Sequence, residues 1–132
     1  FMRNEFALYS KDYASSHVSI TGEDKLDRSK GGVLLFLHFG SFFLSGVSLI
    51  SKLSVNYTAI ASTRNFSAMR KSDSEFWKDV HKTANKLYSR KMFLSDGENT
   101  SEMLSFISEG NFIGSAVDVA EIGKKHKFRP KF

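Results

Sequence analysis

Four places in the sequence put a chemically capable side chain at, or within two residues of, the end of a short apolar or β-rich run. His38 follows "VLLFL" (33–37), Arg64 follows "SVNYTAIAS" (54–62), Ser95 and Asp96 follow "KMFL" (91–94), and Asp118 ends "NFIGSAV" (111–117). A histidine at the end of a buried strand is partly desolvated yet still faces a substrate. That position suits a general base that removes a proton from an attacking hydroxyl or amine. The competing reading of His38 is an imidazole satisfied within a core. Arg64 offers parallel donors for a phosphate or carboxylate, or is simply a solvated loop cation. Asp118 has three readings that the residues leave open: it orients His38, binds an acceptor, or caps the next turn.

These residues can meet only if the elements before them are parallel strands of one sheet, because open α/β sheets gather their ligand sites beyond the carboxyl ends of the strands. The apolar run Val33–Leu37 has the continuous character of a strand buried on both faces. Gly40 permits a tight turn, and Ser41 can cap a helix that turns Phe42, Phe43, Val47, Leu49, Ile50 and Leu53 inward. The amides opening that helix could stabilise an oxyanion, so Gly40 and Ser41 join the substrate-contacting candidates. Residues 54–62 are β-rich, and Ser72-Asp73-Ser74-Glu75 fits a capping box ahead of Phe76, Trp77, Val80, Ala84, Leu87 and Tyr88 at helical spacing. Residues 91–94 form a short strand, and Thr100 can cap a helix through Met103, Leu104 and Ile107 that stops at Gly110. Residues 111–117 make the last strand. Strands alternating with helices predict an α/β fold with a largely parallel sheet and flanking helices.

The 21 residues from Gly31 to Ser51 carry no formal charge, which meets the length test for a membrane span. Four glycines, four serines and His38 within it favour strand, turn and helix instead. At 132 residues the chain has the size of one domain, 1–132, and 41% apolar with 25% charged residues is a globular composition. No cysteine is present, which excludes a disulfide scaffold and a thiolate metal site; His17, His38, His81 and His126 lack ligand spacing, so no metal or other cofactor is expected. The usual nucleotide-binding glycine patterns and the Gly-x-Ser-x-Gly elbow do not occur. The first residue is Phe, which suggests a piece of a longer chain, and no signal peptide is evident.

The net charge of +5 belongs to the end of the chain. Lys124, Lys125, Lys127, Arg129 and Lys131 occur with no acid from residue 124 onward, leaving fourteen charges of each sign elsewhere. This run is either a solvated terminus or a contact for lipid headgroups, an acidic carrier protein or nucleic acid. Nucleic acid is disfavoured, since no recognisable module accompanies the run.

"GGVLLFLHFGSFFLSG" resembles the strand and catalytic turn of the late acyltransferases of bacterial lipid A synthesis, within the lysophospholipid acyltransferase superfamily. The family's motif is His-Phe-Gly-Asn-Trp-Glu, a form of His-x-x-x-x-Asp/Glu. "STRN" (62–65) resembles the family's Tyr-Arg-Pro-x-x-Asn segment, and residues 103–132 resemble its closing helix, glycine turn and strand, where the family has an Asp-Gln-Asp element. "HVSITGEDKL" (17–26) is similar to the lead into the catalytic strand. The resemblance implies an acyltransferase-like partial domain. It would transfer a fatty acyl group from acyl carrier protein or a coenzyme A thioester to a hydroxyl or amine, in the cytoplasm at the inner face of a bacterial membrane. His38 corresponds to the catalytic base, Arg64 to the family's arginine and Asp118 to the first aspartate of the later motif. Ser41, Phe42 and Phe43 replace the motif's Asn, Trp and Glu. Either Asp118 or Glu98 replaces the acid, or the mechanism is modified, or the chain is an inactive relative that binds an acyl chain, carrier protein or partner in the same cleft.

Overall fold

The computed structural model describes residues 10–37, 42–62, 70–95 and 99–116. Their elements are α1 (Lys11–His17), a 3-10 turn (Glu23–Lys25), β1 (Gly32–Phe36), α2 (Phe42–Leu53), β2 (Tyr57–Ala61), α3 (Lys71–Leu87), β3 (Phe93–Leu94), α4 (Thr100–Ser108) and β4 (Phe112–Ala116). The strands form one four-stranded sheet in the order β1-β4-β2-β3, with every pairing parallel. The α/β expectation holds. The uncharged run 31–51 divides into β1 and α2, and among the described residues no helix is long and apolar enough to cross a membrane.

Two details of the helix starts differ from expectation. Helix α3 begins at Lys71 with Arg70 in the capping position, and no side chain caps it. Ser72 therefore lies inside the first turn, its hydroxyl beside the Asp73 carboxylate at 3.4 Å. Helix α4 begins at Thr100 after Asn99, again without a side-chain cap. Asn99 donates instead to the Leu94 carbonyl at 2.8 Å, tying α4 to the end of β3. Helix α1 was not anticipated, although Ser10 supplies a capping signal by accepting from the Tyr13 N–H at 3.0 Å. Gly110 behaves as expected: it closes α4 at φ +85°, a conformation that favours glycine.

Registered partners in a parallel sheet point to the same side. One face therefore carries Leu34, Phe36, Phe112, Gly114, Tyr57 and Ala59, and the other carries Val33, Leu35, Ile113, Thr58, Ile60 and Phe93. Tyr57 organises the first. Its ring meets Phe36 edge-on at 6.2 Å and Tyr88, just past α3, at 5.0 Å. Val47 and Leu53 of α2 and Ala84 of α3 complete this core with Ala14 of α1. The second face is covered only in part by α4, whose Phe106 packs on Phe93 at 6.1 Å; Ile113, Thr58 and Phe93 are buried there, whereas Val33 and Leu35 of β1 are exposed, so the strand is not buried on both faces as its apolar run suggests.

The amino edge of the sheet is tied by polar groups. The Asn56 amide donates to the Asn111 side chain at 3.0 Å, the Phe112 N–H to the Asn56 carbonyl at 2.9 Å, and the Gly32 N–H to the Asn111 carbonyl at 3.0 Å. The buried Thr58 hydroxyl donates to the Arg90 carbonyl at 3.1 Å, and the Asn85 side chain accepts from the Met92 N–H at 2.7 Å. Each bond satisfies a group that would be costly to leave unpaired on burial.

Gly114 has no room for a side chain, because a Cβ there would run into the Tyr57 hydroxyl and ring. Gly114→Ala should lower stability by about 1–3 kcal/mol, and Tyr57→Phe should recover part of that loss in a double-mutant cycle read by urea unfolding. Burial also pushes the Tyr57 phenol well above its ordinary pKa of 10.0. The unfolded chain then loses this proton near pH 10 while the folded chain keeps it. The contribution of Tyr57 to stability should be complete below about pH 10 and fall by roughly 1.4 kcal/mol per pH unit above it. Unfolding of Tyr57→Phe should lack that alkaline component.

Candidate functional site

The parallel register brings the carboxyl ends of the strands to one level. Phe36 pairs with Ala116, Ala61 pairs with Leu94, and Ala59 lies level with Gly114. One row across the sheet is therefore Phe36, Ala116, Ala61 and Leu94. Along the sequence His38 comes two residues after this row on β1, Asp118 two after it on β4, Arg64 three after it on β2, and Asp96 two after it on β3. His38, Gly40, Ser41, Arg64, Asp96, Glu98 and Asp118 lie outside the described residues, as do Lys124, Lys125, Lys127, Arg129 and Lys131. Ser95 is described: it is exposed, and its N–H donates to the Ala61 carbonyl at 2.9 Å, so its backbone extends the β2–β3 ladder.

Beside β1 lies an apolar groove of about 410 Å³, a volume in the ordinary range for small-molecule sites. Its floor is Leu34 and Phe36, one wall is Leu49 with Ser45 and Ser48 of α2, and the other is the extended stretch around Ile20. Ser48 adds little polarity, because its hydroxyl donates to the Leu44 carbonyl one turn back at 2.7 Å. Among the described residues β1 is an edge strand, paired with β4, and the chain between α1 and β1 runs past it as a separate wall of the groove. None of its lining was singled out in the sequence apart from the apolar positions of β1 and α2. Ile20 enters only through the stretch 17–26 that leads into the strand.

Phe43 stands where the resembled motif has its acid. Its half-buried ring lies 6.2 Å from that of Trp77 on α3, and the first turn of α2 contains no acidic residue. The side chain joins two helices that share the Tyr57 face. Among the described residues no cluster of three His, Cys, Asp or Glu side chains could hold a metal ion.

Comparison with family models, curated proteins and solved structures finds no significant match to the chain.

Trp77 is the single tryptophan of the chain and so reports on the Phe43 contact. Phe43→Ala should shift its emission to longer wavelength and lower stability by about 2 kcal/mol, less than the ~3–5 kcal/mol of a fully buried phenylalanine. An unchanged spectrum and an unchanged urea midpoint would exclude Phe43 as the link between α2 and α3.

Proposed function

We propose that this chain is an acyltransferase-like domain that lays a fatty acyl chain in the groove beside β1 and presents its thioester beyond the sheet's carboxyl edge. The observation that carries the reading is the apolar groove itself, which follows the strand leading to His38. His38 acts as general base on an acceptor hydroxyl or amine. The deprotonated acceptor attacks the thioester carbonyl, the tetrahedral intermediate collapses, and the carrier's thiolate leaves and takes up a proton. Gly40 and Ser41 contact the substrate near the developing oxyanion, and Arg64 holds a phosphate or pantetheine-linked group. The donor is acyl carrier protein or a coenzyme A thioester, and no other cofactor is required. The five cations from Lys124 to Lys131 face the acidic carrier or an anionic membrane surface, consistent with work at the cytoplasmic face of a bacterial membrane.

With Phe43 in place of the motif acid, Asp118 is the best-supported substitute. It and His38 each follow a directly paired residue, Ala116 and Phe36, by two positions on neighbouring strands, and neighbouring strands lie about 4.8 Å apart. Glu98 follows the far strand of the sheet and has less support. A carboxylate there would fix the imidazole tautomer and stabilise the imidazolium once it forms.

A second reading is favoured by the Phe43–Trp77 contact, which uses the motif's acidic position for packing. On that reading the chain is a catalytically inactive relative that binds an acyl chain, a carrier protein or another partner through the same groove.

Thiol release from acyl carrier protein and acyl-coenzyme A thioesters separates the two. The catalytic reading expects release that disappears in His38→Ala and falls by up to ~10⁴ in Asp118→Asn, with the fold intact in both. Saturable acyl-ligand binding without release, weakened by Leu34→Trp in the groove, would establish the binding relative in its place.

A further inference from the structure

Among the described residues β1 borders the sheet, and the backbone pattern shows which of its groups face outward. The Gly32 N–H donates to the Asn111 carbonyl, so in this parallel ladder Gly32, Leu34 and Phe36 turn their backbone groups toward β4. Val33 and Leu35, with Leu37 in the same phase, turn theirs away from it. The stretch 18–21 stands across the groove from β1, and among the described residues it makes no hydrogen bond to the strand.

The side chains of the same three residues are also open. On the α4 side of the sheet Val33 is 51% exposed, Leu35 67% and Leu37 62%, while Ile113 beside them on β4 is 1% exposed. Leu104 of α4, 62% exposed, adjoins them. Glu102 and Phe106 reach Arg90 and Phe93 on the β3 side, and Leu104, midway between the two along the helix, projects from the opposite flank, toward β1. These four side chains make an apolar patch on the order of 400 Å². One side of an ordinary protein interface takes about 800 Å², a little over half of it apolar, so the patch supplies most of the apolar area that a stable dimer needs from each copy. Edge strands are commonly guarded against pairing by charges, prolines or bulges. Residues 31–37 contain no charge and no proline, and β1 runs in unbroken register.

We propose that β1 pairs antiparallel with β1 of a second copy about a two-fold axis at Leu35, joining the two four-stranded sheets into one. A strand added at this edge needs apolar side chains on both faces, beside Leu34 and Phe36 on one and beside Val33 and Leu35 on the other, and β1 itself has that composition. The outward-facing residues meet as hydrogen-bonded pairs, Leu35 with its own equivalent and Val33 with Leu37 of the partner subunit. The axis places both apolar patches on one face, as a self-complementary contact requires, and Val33, Leu35 and Leu37 of each copy fill the trough between the two α4 helices. The inference does not depend on acyl transfer.

Sedimentation equilibrium of the full chain should give twice the 14.9 kDa mass of one copy, falling on dilution. Leu35→Lys, at an exposed position where substitution spares the core, should raise the dissociation constant about a hundredfold or more, because like charges then meet at the axis. The chain has no cysteine, so introduced thiols report without background. Leu35→Cys should oxidise to a disulfide-linked dimer, since directly opposed Cα atoms lie about 5.5 Å apart. Val33→Cys alone should not, because it lies about 13 Å from its own equivalent, whereas Val33→Cys combined with Leu37→Cys should. Lys82→Cys, exposed on α3, gives the rate of random collision. A single-chain mass at every concentration, or a dimer unaffected by Leu35→Lys, would overturn the proposal. Cross-linking of Val33→Cys as fast as Leu35→Cys would also overturn it, by placing the contact outside this register. So would a single-chain mass with the Leu35→Cys thiol shielded from soluble reagent, which would assign the edge to another segment of the same chain.

Discussion

Tyr57 carries the constraint on which the rest of the described fold depends. Its ring sits over Gly114 of β4, against Phe36 of β1 and Tyr88 after α3, with Gly46 of α2 close by. One aromatic side chain thereby sets the separation of α2 from the sheet, the docking of α3, and the identity of the residue that β4 can place beneath it. Glycine at 114 and glycine at 46 are the counterparts of this large ring: a Cβ at position 46 would come within 2.5 Å of it. Close packing of this kind leaves few alternative arrangements for the helices, since interiors tolerate neither voids nor extra methyl groups cheaply.

A second asymmetry follows from that core. Polar ties gather at the amino edge of the sheet, where Asn56, Asn111 and Thr58 link loops to strands through satisfied buried hydrogen bonds. The carboxyl edge, where Phe36, Ala116, Ala61 and Leu94 end in one row, is where the candidate residues follow along the chain. A rigid base with chemistry held on the loops at the opposite end is the general logic of open parallel sheets. The groove beside β1 extends that edge with an apolar trough, and its position depends on β1 standing at the border of the sheet.

Much of this architecture was legible from residue patterns. The run at 33–37 and the helical spacing from Phe76 to Tyr88 both appear close to their expected places, because a short apolar run and amphipathic periodicity leave direct marks on a sequence, although Val33, Leu35 and Leu37 are exposed where burial on both faces was expected. The capping reading at Ser72 failed for a local reason: the helix extends two residues further back and opens without a side-chain cap. Helix α1 went unnoticed because seven residues with one buried alanine carry almost no periodic signal. Phe43 was visible as a departure from the acyltransferase motif, but its contact with Trp77 was not, since the two rings are 34 positions apart in the chain.

By itself, the sequence determined the strands and the helices α2 to α4, their alternation, the candidate residues His38, Arg64 and Asp118, and the concentration of positive charge after residue 123. These are properties of nearest neighbours and short periods, which composition and spacing express directly. Only the tertiary structure decided the strand order β1-β4-β2-β3, and with it three consequences: β1 borders the sheet, an apolar groove opens beside it, and the strands preceding His38 and Asp118 become neighbours. Strand order depends on long-range pairing and on the hand of each crossover. Neither leaves a local signature, because the same apolar run can pair on either side until the core around Tyr57 selects one arrangement.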